Sequence, residues 1–192
     1  MATLHGLHKA LTDKMFPYFL FFTLFTSTMS AQTLYDSKSN PDATNWYTID
    51  DVVMGGRSNG QFEIATAGHA KFFGKVSLEN NGGFSSVRYV IPETGVRPDQ
   101  IIRVRLKGDG SDFQFRVKNQ RGQYYSYTTR FETNGKWQTL QFKLNDLYPT
   151  FRGRRLDLPN FNHDSIEEIT FLIGNKVAQQ FELLITTIEL LD

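Results

Sequence analysis

Ile101-Ile102-Arg103-Val104-Arg105-Leu106-Lys107 alternates apolar and cationic side chains with a period of two. In an extended chain successive side chains point to opposite faces, so Ile102, Val104 and Leu106 share a buried face while Arg103, Arg105 and Lys107 meet water. Phe113, Phe115 and Val117 repeat the arrangement a few residues on. Working outward, the same pattern recurs in short segments rich in Val, Ile, Phe and Tyr, punctuated by Gly, Asn, Asp or Pro. Candidate strands are residues 62–65, 70–78, 84–91, 101–107, 113–118, 124–131, 136–144, 168–173 and 181–191. Nine strands with no long amphipathic helix between them predict an all-β fold of two packed sheets.

Composition bounds the function. The chain has 192 residues, 40% of them hydrophobic and 21% charged, with a net charge of +1. That fits one folded domain and gives no electrostatic footprint for nucleic acid. The absence of cysteine excludes disulfides, thiolate zinc sites and a cysteine nucleophile. Near the amino terminus, Lys9 and Lys14 precede the apolar run Phe16 to Phe25, and Met29-Ser30-Ala31 supplies small residues before Gln32. This pattern predicts an export signal cleaved after Ala31. The alternative is a retained anchor over residues 15–35, although the apolar run falls short of the roughly 20 residues a span needs. The expected organisation is therefore a leader over residues 1–31, a linker over 32–45 and a sandwich domain over 46–192. Without residues 1–31, basic and acidic side chains balance. The expected compartment is a bacterial periplasm or the exterior.

Function is expected in the loops, which a rigid sandwich holds in place. Asp50-Asp51-Val52-Val53-Met54-Gly55-Gly56-Arg57-Ser58 sets two carboxylates before an apolar triplet and a glycine pair. The acids are expected to accept backbone N–H bonds and shape the loop; Ca²⁺ binding and acid/base work are the alternatives. An EF-hand is excluded because Gln61 or Phe62 stands where its last Glu would, and a P-loop because Gln61 stands where its Lys would. The second segment runs from Phe73 to Arg88 and includes Glu79-Asn80-Asn81-Gly82-Gly83-Phe84. Its Asn and Gly residues tolerate left-handed conformations, which predicts a hairpin. Arg88 is expected to pair with an acid such as Asp51, with binding of an anion as the alternative.

These two segments resemble the signature of the complex I intermediate-associated protein 30 family. The resemblance extends through Gly108-Asp109-Gly110, Trp137, Phe151-Arg152-Gly153-Arg154 and Ile169 to Lys176, covering roughly residues 46–190. It implies a jelly-roll β-sandwich similar to galactose-binding domains. It also implies a non-catalytic assembly factor, since the family's mitochondrial members assist assembly of respiratory NADH dehydrogenase. The residues so marked are Asp50, Asp51, Met54, Gly55, Gly56, Ser58, Asn80, Asn81, Gly82, Gly83, Phe84, Arg88, Gly108, Asp109, Gly110, Arg152 and Gly153. Some relatives carry a dinucleotide-binding domain, but no Gly-x-Gly-x-x-Gly turn occurs here in the required strand-to-helix context, and no cofactor is expected.

Catalysis has little to build on. Outside the leader only His69 and His163 remain, too few for a three-histidine metal site. The remaining route is a carboxylate pair among Asp50, Asp51, Glu79 and Asp109. Two binding readings therefore compete. A protein-binding module would use the aromatic stretch holding Tyr125 and Tyr127 together with Arg152, Arg154 and Arg155, with a membrane complex as one partner class. A carbohydrate-binding module outside the cytoplasm would use Trp46, Trp137 or exposed tyrosines against sugar rings, although burial in the core is the expected role of both tryptophans.

Overall fold

The computed structural model describes residues 30–39, 41 and 43–192. The expected leader therefore lies outside the described residues except for Ser30 and Ala31. Thirteen strands follow in chain order: β1 (Ala31–Asp36), β2 (Trp46–Asp50), β3 (Asn59–Ile64), β4 (Ala70–Val76), β5 (Ser85–Gly95), β6 (Ile101–Gly108), β7 (Asp112–Lys118), β8 (Ser126–Glu132), β9 (Gln138–Lys143), β10 (Tyr148–Phe151), β11 (Arg154–Arg155), β12 (Ser165–Ile173) and β13 (Gln179–Leu191). One sheet has the order β3-β4-β13-β6-β9, with β1 also paired to β13; the other has the order β11-β10-β8-β7-β12-β5-β2. The fold is an all-β sandwich of two sheets, as the alternation predicts, and a jelly roll, as the resemblance implies.

The period-two reading holds at its origin. Ile102, Val104 and Leu106 are completely buried, as is Phe115, with Phe113 and Val117 nearly so. Phe115 of the seven-stranded sheet stacks on Phe142 of the six-stranded sheet, with ring centroids 4.2 Å apart. At the other end of the core, Trp46 stacks between Phe62 and Tyr89 at 4.9 and 4.6 Å. These contacts knit the two sheets into one interior.

Three expectations change. Ala31–Asp36, within the stretch expected as leader and linker, forms β1, pairs with β13 and buries Tyr35 beside Trp46. The Phe73 to Arg88 segment is not a hairpin: β4 belongs to the six-stranded sheet and β5 to the seven-stranded one. Asn80 and Asn81 do adopt positive φ, but the turn they make carries the chain from one sheet to the other. Arg88 pairs with Glu168 at 3.6 Å rather than with Asp51, because register sets Arg88 in the row next to Glu168 on the outer face of the sheet. β2, β10 and β11 lie outside the nine candidate strands. Pro149 interrupts the strand signal in β10, and β11 is only two residues long.

Candidate functional site

The two signature loops meet at Asp51. Its carboxylate accepts bonds from Ser58 N at 2.9 Å, Ser58 Oγ at 2.5 Å, Gly83 N at 2.5 Å and Phe84 N at 3.2 Å. Burial pushes this carboxyl up, and the bonds from Ser58, Gly83 and Phe84 outweigh it and hold it below its ordinary value of 3.8. Glycine is required around it: a Cβ at Gly82 would lie 2.6 Å from Asp51 Oδ2, and one at Gly56 would fall on the same carboxylate. Asp50 accepts from Gly60 N at 2.9 Å and Ser85 Oγ at 2.5 Å. Both acids thus shape loops. Among the described residues no group of three or more His, Asp or Glu is placed to hold a metal.

This knot fixes one end of a groove on the outer face of the seven-stranded sheet. The groove has a volume of about 370 Å³. Of the signature residues, Met54, Gly83, Phe84, Arg88, Arg152 and Gly153 line it. They join Gln114, Arg116 and Lys118 from β7, Thr170 and Leu172 from β12, and Ser86, Ser126 and Thr150. Tyr124 and Phe151 stand at its side, with ring centroids 5.3 Å apart and 64% and 37% exposure. Burial lowers Lys118, and the neighbouring cations Arg88 and Arg116 add to the effect against the opposing pull of Glu168.

Other predicted residues lie elsewhere. Gly55 makes the exposed turn after Met54. Asn80 and Asn81 sit in the crossover, where Glu79 pairs with Arg57 at 3.1 Å. Asp109, between Gly108 and Gly110, accepts from Glu182 N at 2.9 Å in a separate surface recess with Gln61 and Lys75. Asp50, Asp51, Glu79 and Asp109 are thus each engaged in local contacts of their own. Trp46 is buried and removed from glycan contact. Trp137, expected in the core, is instead half-buried on the outer face of the six-stranded sheet, edge-on to His69 at 5.0 Å.

Tyr125 and Tyr127 point away from the groove. Tyr127 is buried and bonds His163 Nε2 at 2.7 Å, while Tyr125 packs against the core and meets Tyr127 at 3.3 Å through the hydroxyls. The groove aromatic from this stretch is Tyr124, one step out of phase. Arg154 and Arg155 are exposed on β11, with Arg155 over the Tyr148 ring. The lining residues of β7 and β12 were passed over because a sheet's polar face reads in sequence as ordinary solvated surface. Alternation had already placed Gln114, Arg116 and Lys118 together, and that signal was available.

The model of the complex I intermediate-associated protein 30 family matches residues 35–185. No curated protein matches the chain. Among solved structures, the family 11 carbohydrate-binding module from Clostridium thermocellum, in complex with a β-1,3-1,4-mixed-linked tetrasaccharide, is similar with a TM-score of 0.62 at 15% identity, covering 83% of this chain and 94% of that one. The family 11 module of a cellulosomal cellulase of the same organism gives 0.63 at 14% identity, over 85% and 95%. A family 29 carbohydrate-binding module gives 0.51 at 10% identity, over 85% and 86%. At such identities the likeness is one of fold. The family match spans most of the domain, including both loops that close on Asp51 and the strands that carry the groove, and on that ground the chain belongs to the complex I intermediate-associated protein 30 family.

Proposed function

We propose that this chain is a non-catalytic binding module acting outside the cytoplasm, and that it holds a carbohydrate chain in the groove across its seven-stranded sheet. The make-up of that groove carries the reading. Ser126, Thr150 and Thr170 bring hydroxyl-bearing side chains to the floor, Gln114 brings an amide, and Tyr124 and Phe151 bring rings to the side. A sugar presents the complementary surface, hydroxyls at its edge and C–H groups on its faces. The groove's volume of about 370 Å³ falls within the roughly 300–1,000 Å³ of small-ligand clefts. The similar structures, carbohydrate-binding modules by description, support the same reading. The leader pattern over residues 1–31 supports export.

Binding without cleavage follows from the lining. Among the described residues lining the groove there is no carboxylate, whereas glycoside hydrolysis by the two-acid route needs a pair flanking the bond. The test is calorimetric titration of the full chain with soluble polysaccharides. Tyr124→Ala is expected to weaken the binding polysaccharide about tenfold, or about 1.4 kcal/mol, with the melting temperature unchanged. Binding that survives loss of both the Tyr124 and Phe151 rings, or no binding to any glycan, overturns the reading.

A second reading has its own observation. Val52, Val53 and Met54 are 59%, 75% and 54% exposed at the groove's end. An apolar triplet displayed in this way suits a protein partner, which is the assembly role the family's name carries. Crosslinked capture from the native host would recover subunits of a membrane respiratory complex if that role is kept, and Val53→Asp would abolish the recovery.

A further inference from the structure

The sheet register composes the groove floor. Directly opposed residues on successive strands run Tyr47, Arg88, Thr170, Arg116, Thr128, Tyr148 from β2 to β10. Strands spaced about 4.8 Å apart put the backbones of Arg88 and Arg116 about 10 Å apart, with the Thr170 hydroxyl between them. Lys118 lies in the adjacent row, directly opposite Glu168.

Charge on this floor is unbalanced. Glu168 is 2% exposed and is shared by Arg88 at 3.6 Å, Lys118 at 4.0 Å, the Tyr47 hydroxyl at 2.8 Å and the Thr170 hydroxyl at 3.3 Å. Arg116 bonds only the Gln114 side-chain oxygen, at 2.7 and 3.2 Å, and has no ion pair among the described residues. Arg88 Nε is buried without a hydrogen-bond partner. Arg152 adds a fourth cation at the rim. Burial, then the charge of Arg88, draws the Arg116 guanidinium down to about 10, which leaves it charged at neutral pH. A chain with a net charge of only +1 has thus gathered four cations on one groove whose lining carries no acid among the described residues. A buried guanidinium donor without an acceptor, such as Arg88 Nε, is costly, and the remaining Arg116 donors have no carboxylate to meet within the groove.

We infer that the groove takes an acidic glycan, one whose sugar units carry carboxylate or sulfate groups, with Arg116 and Arg88 donating to that anion. This rests on the carbohydrate reading above. An acidic peptide is the poorer occupant: β5, β12 and β7 are paired on both edges, so a peptide backbone lying on this face finds no open ladder to join.

The experiment is calorimetric titration of the full chain with four probes: tetragalacturonate for carboxylate, dextran sulfate for sulfate, a neutral β-1,3-1,4-glucan tetrasaccharide and poly-glutamate. At least one acidic glycan is expected to bind about tenfold or more tightly than the neutral one, and to weaken when salt is raised to about 0.5 M. Arg116→Gln is expected to bring the acidic glycan down to the neutral level. Arg152→Gln, at an exposed rim position, is expected to weaken it severalfold with the melting temperature unchanged. Equal binding of neutral and acidic glycans overturns this inference and leaves the carbohydrate reading standing. Binding to no glycan overturns both. Poly-glutamate binding as tightly as the acidic glycan overturns the choice of glycan.

Discussion

Asp51 shows how much of this molecule rests on single side chains. Its one carboxylate gathers Ser58, Gly83 and Phe84 from two loops, and these four donors favour the charged form of the acid. Asp51→Asn places an amide N–H₂ among N–H donors and is expected to cost about 3 kcal/mol, read by denaturant unfolding. Gly82→Ala is expected to destabilise by a comparable mechanism, since its Cβ would collide with Asp51 Oδ2 and Ser77 O. The pH dependence has a definite sign. The native carboxyl sits below 3.8, so the unfolded chain binds the proton more readily. The stabilisation is complete above that ordinary value and is lost as pH falls through the lower native one. Asp51→Asn should accordingly flatten the acid limb of a stability-against-pH curve. The loop-shaping role of Asp51 was legible from Asp and Gly in one short segment. Its partners 32 and 33 residues away were not, because only the sandwich brings the two loops together.

At the scale of elements, β1 is the test case. It forms the edge partner of Thr187 to Leu191 and inserts Tyr35, 2% exposed, against Trp46 and Tyr89. A chain beginning at Ser37 should lose at least about 3 kcal/mol relative to one beginning at Ser30, measured by thermal or denaturant unfolding, because a buried aromatic goes with the strand. Equal stability of the two would mean that β1 is a dispensable flap. The segment was read as leader and linker because its alternation is short and abuts an apolar run. The expected hairpin after β4 failed for a related reason: Asn-Gly chemistry specifies that the chain turns, and it leaves open which sheet receives the next strand. In the run that leads into β8, a single step of phase decides that Tyr124 meets the groove while Tyr125 and Tyr127 face inward.

For the whole molecule, aromatic stacks between the sheets make one core of two layers. Loss of either sheet exposes the other, so far-ultraviolet and near-ultraviolet circular dichroism should report coincident unfolding transitions. Separated transitions would show that the sheets are independent units. The groove belongs to this scale as well, since its floor draws on six strands remote in sequence. By itself the sequence determined that the chain is all-β, which faces of β6 and β7 are buried, and which loops bear the family's signature, because alternation and turn chemistry are local properties of extended backbone. Only the tertiary structure decided that Arg88 and Arg116 flank Thr170 on one face and that Glu168 is the acid Arg88 and Lys118 meet, because strand order and register are set by long-range packing of the two sheets.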